Sequence, residues 1–128
     1  MMSRYGRVLI VEDDGSLCRV LKRNLAARGI EAACAESVAA AMQSIASARP
    51  DLLVLDINLP DRSGWEMCRA LRARGLEIPK IILSATRVTP ERLAEFKPLA
   101  FLPKPFPLEA LLRLVVEREG TNLHASSL

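Results

Sequence analysis

Three consecutive acids, Glu12, Asp13 and Asp14, follow directly on an apolar run in the stretch "VLIVEDDG", Val8 to Gly15. Carboxylates packed that closely repel, and each resists ionising while its neighbours are charged. Either the acids sit in water and carry no chemistry, or a cation belongs between them. A further acid, Asp56, ends the apolar run "LLVLD", Ser84 closes "KIILS", and Lys104 stands between Pro103 and Pro105. A carboxylate can serve as a nucleophile, a hydroxyl can donate a hydrogen bond, and an ammonium can offset developing negative charge. Whether these groups meet depends on the elements that carry them.

Short apolar runs alternate with amphipathic stretches. "RVLIV" reads as a buried strand by its continuous β-rich apolarity. Leu17, Val20, Leu21 and Leu25 then recur at helical spacing until Gly29 stops the helix. "IEAACA" is a weaker strand, and Ser37 is an N-cap candidate for an Ala-rich helix with Val38, Met42 and Ile45 on one side. After Pro50 comes the buried strand "LLVLD". Gly64 opens a helix bearing Met67, Cys68 and Leu71, which Gly75 ends. "KIILSA" is another buried strand, and Pro90 suits the first turn of a short helix reaching Phe96. "LAFLP" is a final strand, after which Pro107 starts a helix with Leu108, Leu111, Leu112 and Val115 facing inward.

Five strands alternating with five helices imply a parallel sheet covered on both faces, built from right-handed crossovers. Ligands of such sheets bind beyond the carboxyl ends of the strands. That rule gathers Glu12, Asp13, Asp14, Asp56, Ser84 and Lys104 at one edge.

A chain of 128 residues fits one domain with a single core. No apolar run reaches membrane-span length, and "MMSRYGR" is followed by no signal-type apolar segment, so a cytoplasmic location without membrane contact is expected. The three cysteines, Cys18, Cys34 and Cys68, show neither close pairing nor metal-type spacing. Buried reduced thiols are expected, with no disulfide and no zinc. The net charge of +3 comes mostly from arginines along helical segments. Aromatics are scarce and no recognition motif is visible, so solvated helix faces are expected rather than direct nucleic-acid binding.

The pieces "VLIVEDD", "LLVLDINLPDRSG", "IILSA" and "FLPKPF", in that order, resemble the receiver domain of two-component response regulators, and stand-alone chemotaxis-type receivers in particular. The resemblance runs from about Val8 to Glu117. It implies a flavodoxin-like α/β fold, a doubly wound five-stranded parallel sheet of order 2-1-3-4-5 with five helices. Residues 1–119 are expected to form the domain, with 120–128 a polar tail or linker stub and His124 inert within it.

The resemblance also implies roles. Asp56 would be the phosphoacceptor, attacking the phosphohistidine of a sensor histidine kinase or phosphotransfer protein. A hard cation such as Mg2+ takes oxygen ligands and keeps several waters. Asp13 would bind it directly and Glu12 mainly through a water, with Asp56 and the backbone carbonyl of Asn58 completing the set. Asp14 suits a helix-capping role better. Lys104 would spread charge on the phosphoryl oxygens, Ser84 would donate its hydroxyl to one of them, and Asn58 and Thr86 would flank the hydrolytic water. The family holds the bond equivalent to Lys104–Pro105 in the cis form. Phe101 is either plain core or the switch aromatic, and Trp65 packs at the start of its helix.

Two departures from the family pattern stand out. Lys97, Pro98, Leu99 and Ala100 replace the usual Gly-Ala and acids before Phe101, and the segment from Ser84 to Lys104 is short. A fourth helix that is abbreviated, or that starts late because of Pro90, is expected, and a downstream partner that is a different protein rather than an identical chain. No effector sequence follows, so the expectation is a receiver acting alone or a fragment of a longer regulator.

Three other readings compete with this one. A receiver-like interaction module that never takes phosphate is disfavoured because the whole site is present. An aspartyl-nucleophile phosphatase needs an acid two residues after the nucleophile, where this chain has Asn58. Flavin binding is disfavoured by an acidic first loop where a phosphate cradle belongs.

Overall fold

The structure is a computed structural model that describes residues 6–116. Its strands are β1 (Arg7–Val11), β2 (Glu31–Ala35), β3 (Leu52–Asp56), β4 (Lys80–Ser84) and β5 (Ala100–Pro103). Its helices are α1 (Gly15–Ala26), α2 (Val38–Ser47), α3 (Gly64–Ala73) and α4 (Pro90–Phe96), with α5 over 108–116. The strands pair in parallel in the order β2-β1-β3-β4-β5, as expected. The tail at 120–128, His124 and the domain limit at 119 lie outside the described residues.

Strand alternation divides the core. Leu9, Val11, Leu53, Leu55 and Ile82 point to one face, where they meet Val38, Ala41 and Ile45 of α2 and Met67, Cys68 and Leu71 of α3. Val8, Ile10, Leu52, Val54, Ile81 and Leu83 point to the other, against Cys18, Leu21 and Leu25 of α1 and Leu111, Leu112 and Val115 of α5. Both faces being covered explains why β3 and β4 are buried throughout and read as unbroken apolar runs. Each fully buried Leu or Ile contributes about 1.5–3 kcal/mol of transfer free energy.

Local signals set the boundaries. Asp14, Ser37, Ser63 and Thr89 cap the four helices that follow them, each accepting a backbone N–H in the first turn. Gly29 and Gly75 take φ of +77° and +74° just past α1 and α3, a conformation that side chains disfavour. Pro90 begins α4, which is 7 residues long, so the fourth helix is short as expected. Its Phe96 stacks on Trp65 with ring centroids 5.2 Å apart, and the guanidinium groups of Arg69 and Arg72 lie over the Phe96 ring. Glu95 pairs with Arg69 and Arg92, tying α4 to α3.

Two expectations are corrected. Val20, grouped with Leu17, Leu21 and Leu25 by helical spacing, is exposed; the buried stripe is Cys18, Leu21 and Leu25, and Val20 lies about 100° from Leu21 around the helix. Cys18 and Cys34, expected as reduced thiols, are joined in a disulfide with Cα atoms 6.3 Å apart. They stand 16 positions apart in sequence, but the α1 crossover lays Cys18 against the face of the sheet where Cys34, opposite Ile10, belongs to the same cluster. Spacing rules look for near neighbours and miss a pair that the crossover creates. Cys68 is a free buried thiol, pushed up to about 11 by burial.

Candidate functional site

Beyond β1 the chain continues extended for one residue, since the Glu12 N–H donates to the Ala35 carbonyl at 2.9 Å. That holds the Glu12 side chain at the sheet edge, 0 % exposed. Asp13 next to it is exposed, and Asp14 turns away to cap α1 through the N–H groups of Ser16 and Leu17. Asp14 is thereby the odd acid out, as its position before the helix suggested.

Asp56 ends β3 at 1 % exposure. Its Oδ1 accepts from the Asn58 N–H at 2.8 Å, and its Oδ2 accepts from Lys104 Nζ at 2.9 Å. The same ammonium donates to Glu12 Oε1 at 2.6 Å. Lys104 is aimed by the end of β5: its N–H donates to the Ser84 carbonyl at 2.8 Å, and the Lys104–Pro105 bond is cis. Oxygen atoms of Glu12, Asp13 and Asp56 lie within 4.8 Å of one another.

The electrostatics follow from this packing. Burial pushes the Glu12 carboxyl above the ordinary range against the lowering effect of its bonds from Lys104 and the Asp14 N–H, and the Asp56 charge pushes it the same way. Burial alone would lower the Lys104 ammonium, but hydrogen bonds to Asp56 and Glu12 overcome it and raise its pKa. Three carboxylates against one ammonium leave the cluster short of positive charge. Hard oxygen donors with a deficit of charge fit a hard divalent cation. The acids therefore suit a metal ion, which is the second of the two readings open at the start.

Ser84, buried at the end of β4, donates its hydroxyl to the Thr86 carbonyl at 2.6 Å and accepts from the Thr86 N–H at 3.0 Å. Asn58 bridges to the same loop: its Oδ1 accepts from the Ala85 N–H at 3.0 Å. Its Nδ2 reaches Thr86 Oγ1 at 3.5 Å. The loops after β3 and β4 are thus linked beside Asp56. Gly64 keeps the first of them tight, because a Cβ there would stand 2.8 Å from the Asp56 carbonyl oxygen. Phe101, offered as core or switch aromatic, points outward at 39 % exposure. All four chemical groups, Glu12, Asp13, Asp56 and Lys104, meet; Ser84 is adjacent but engaged with its own loop.

One residue of this edge escaped the sequence reading. Asp61, within "LPDRSG", accepts from the N–H groups of Val38 and Ala39, both at 3.0 Å, and so caps α2 from the loop after β3. Those two backbone bonds hold its carboxyl below the usual aspartate range. No local pattern marks a capping pair so far apart in the chain.

Comparison with known proteins agrees with this geometry. A family description, response regulator receiver domain, matches residues 8–116. The chain is 42% identical over 108 residues to the Response regulator MprA of Mycobacterium ulcerans, covering 83% of this chain and 47% of that protein. It therefore spans about half the length of the curated relatives it matches. Among solved structures, the non-phosphorylated HemR receiver domain from Leptospira biflexa is 32% identical with a TM-score of 0.77, covering 88% of this chain and 91% of that one. The response regulator TrrA from Thermotoga maritima, solved in complex with Mg(2+)-BeF, is 28% identical with a TM-score of 0.71, covering 85% and 95%. Sheet order, buried aspartate, lysine-bridged acids and these likenesses lead to one assignment: the chain belongs to the response regulator receiver domains, with the acidic pocket typical of Mg2+-dependent aspartyl phosphorylation.

Proposed function

We propose that this receiver takes a phosphoryl group on Asp56 from the phosphohistidine of a sensor histidine kinase or phosphotransfer protein, and that the modified site switches a protein-docking surface. The bridge of Lys104 between Asp56 and Glu12 is the observation that carries this reading. A carboxylate oxygen of Asp56 attacks phosphorus, the phosphorus–nitrogen bond breaks, and the imidazole departs with the bonding electrons. Lys104 stays beside the carboxylate and compensates charge on the phosphoryl oxygens. Glu12, Asp13, Asp56 and the carbonyl of Asn58 would hold Mg2+, which when bound neutralises charge on the transferring group.

Ser84 can serve a phosphoryl oxygen only by releasing the Thr86 carbonyl. The loop after β4 is then drawn toward Asp56, and Phe101 turns inward from its exposed position. The domain is a phosphoacceptor rather than an enzyme in the ordinary sense, and its donor chemistry argues for the cytoplasm, where ATP charges such kinases. No helix among the described residues is long and apolar enough to cross a membrane. The output partner is read as a different protein, with no direct nucleic-acid contact by this domain.

Labelling with acetyl phosphate tests the metal assignment. Wild type should be labelled only with Mg2+, and Asp13→Asn should lose most labelling together with the metal dependence. Equal labelling of wild type in chelator would contradict it.

A further inference from the structure

Cys18 and Cys34 bracket the acidic loop. Cys18 lies one turn inside α1, where its N–H donates to the Asp14 carbonyl at 3.0 Å, and the Asp14 N–H donates in turn to Glu12 Oε2 at 3.1 Å. Cys34 stands immediately before Ala35, whose carbonyl holds the Glu12 N–H. The disulfide therefore ties together the two pieces of backbone that fix the acidic loop from either side.

β2 has few other ties. It is an outermost strand, paired with β1 alone, and of its five residues only Ala35 is buried. Three alanines, a glutamate and a cysteine offer little apolar area to pack. Such a strand opens locally at low free-energy cost, and opening withdraws the Ala35 carbonyl from Glu12. The bond to α1 opposes that opening. The bridge is also within reach of a small reagent, because Cys34 is half-buried while Cys18 is buried. In the cytoplasm, the compartment read above, small thiols keep most cysteines reduced, and the disulfides that do form are usually transient or redox-sensing.

We propose that Cys18 and Cys34 form a reversible thiol–disulfide exchange site for a small thiol of the glutathione class, and that its redox state sets the affinity of the acidic pocket for Mg2+. The inference rests on reading Glu12, Asp13 and Asp56 as an Mg2+ site. In the reducing direction a thiolate attacks Cys34 Sγ, the sulfur–sulfur bond breaks, and Cys18 leaves as a thiolate that takes a proton from water. A second thiolate attacks the small thiol's sulfur in the mixed disulfide, releasing Cys34, which is protonated likewise. The protein disulfide is thereby reduced to two thiols, and two small thiols are oxidised to their own disulfide. The reverse runs with that disulfide as oxidant. With the bridge closed, the loop is ordered before the cation arrives; with it open, ordering the loop is charged against cation binding.

Calorimetric titration of Mg2+ into the oxidised and the reduced protein tests it. The oxidised form should bind Mg2+ at least about fivefold more tightly, the lower end of ordinary coupling between sites. Such coupling is reciprocal, so in glutathione buffers saturating Mg2+ should shift the midpoint toward the disulfide by the same factor. Without Mg2+, the Glu12 amide should exchange faster in the reduced form. Cys34→Ala should match reduced wild type in either buffer, and far-UV circular dichroism should be the same in all forms. Equal Mg2+ affinity in the two redox states, or a midpoint indifferent to Mg2+, would overturn this proposal and leave the metal site standing. Absence of Mg2+ binding in both states would overturn the metal reading and this proposal with it. Loss of the fold on reduction would make the bridge a structural staple and overturn the proposal.

Discussion

Lys104 Nζ stands 2.9 Å from Asp56 Oδ2 across 48 positions of sequence, and the same nitrogen holds Glu12 Oε1. One ammonium thus spans the carboxyl ends of β1, β3 and β5, where those strands lie in the order β1-β3-β4-β5. Removing it would leave two buried carboxylates facing each other with no described cation near them. In the proposed function this bridge would position Asp56 for nucleophilic attack and keep charge compensation beside the product.

Asp61 makes the stability of the fold sensitive to acid. Its pKa is lowered by the Val38 and Ala39 N–H groups, so its stabilisation is fully present above the ordinary value of 3.8 and is lost as pH falls through the folded value. Asp61→Ala should therefore have a lower urea midpoint than wild type at neutral pH, and the two should converge as pH drops below 3.8. A gap that stays constant with pH would assign the effect to something other than this carboxylate.

The cysteines give a count. Denatured without reductant, the protein should show one reactive thiol, Cys68; after reduction it should show three. Folded, Cys68 should resist modification at pH 8, being buried with its thiol pushed up to about 11. Opening a loop of this size should lower stability by about 3 kcal/mol. Three thiols in unreduced denatured protein would show that the bridge is not formed.

The switch predicts where motion occurs. With beryllofluoride and Mg2+, hydrogen exchange should change between Thr86 and Phe101, as Ser84 leaves the Thr86 carbonyl and Phe101 moves inward. A switch of this kind is biased by the ligand's differential affinity for two states, so weak protection changes should already separate them in the free protein. Changes restricted to the loops carrying Asp13 and Asp56 would rule out this route.

Much of this was legible in the chain itself. The apolar runs of β1, β3 and β4 are continuous because those strands are covered on both faces, and Asp14, Ser37 and Pro90 announced their helices. The site was legible because parallel topology sends every strand end to one edge. What escaped depends on the crossovers: the Cys18–Cys34 bridge, the Asp61 cap on α2 and the outward face of Val20.

The central claim is that Asp56 receives the phosphoryl group, and intact-mass spectrometry after incubation with Mg2+ and acetyl phosphate tests it most directly. Wild type should gain one phosphoryl group and Asp56→Asn none. Equal labelling of Asp56→Asn would contradict the account.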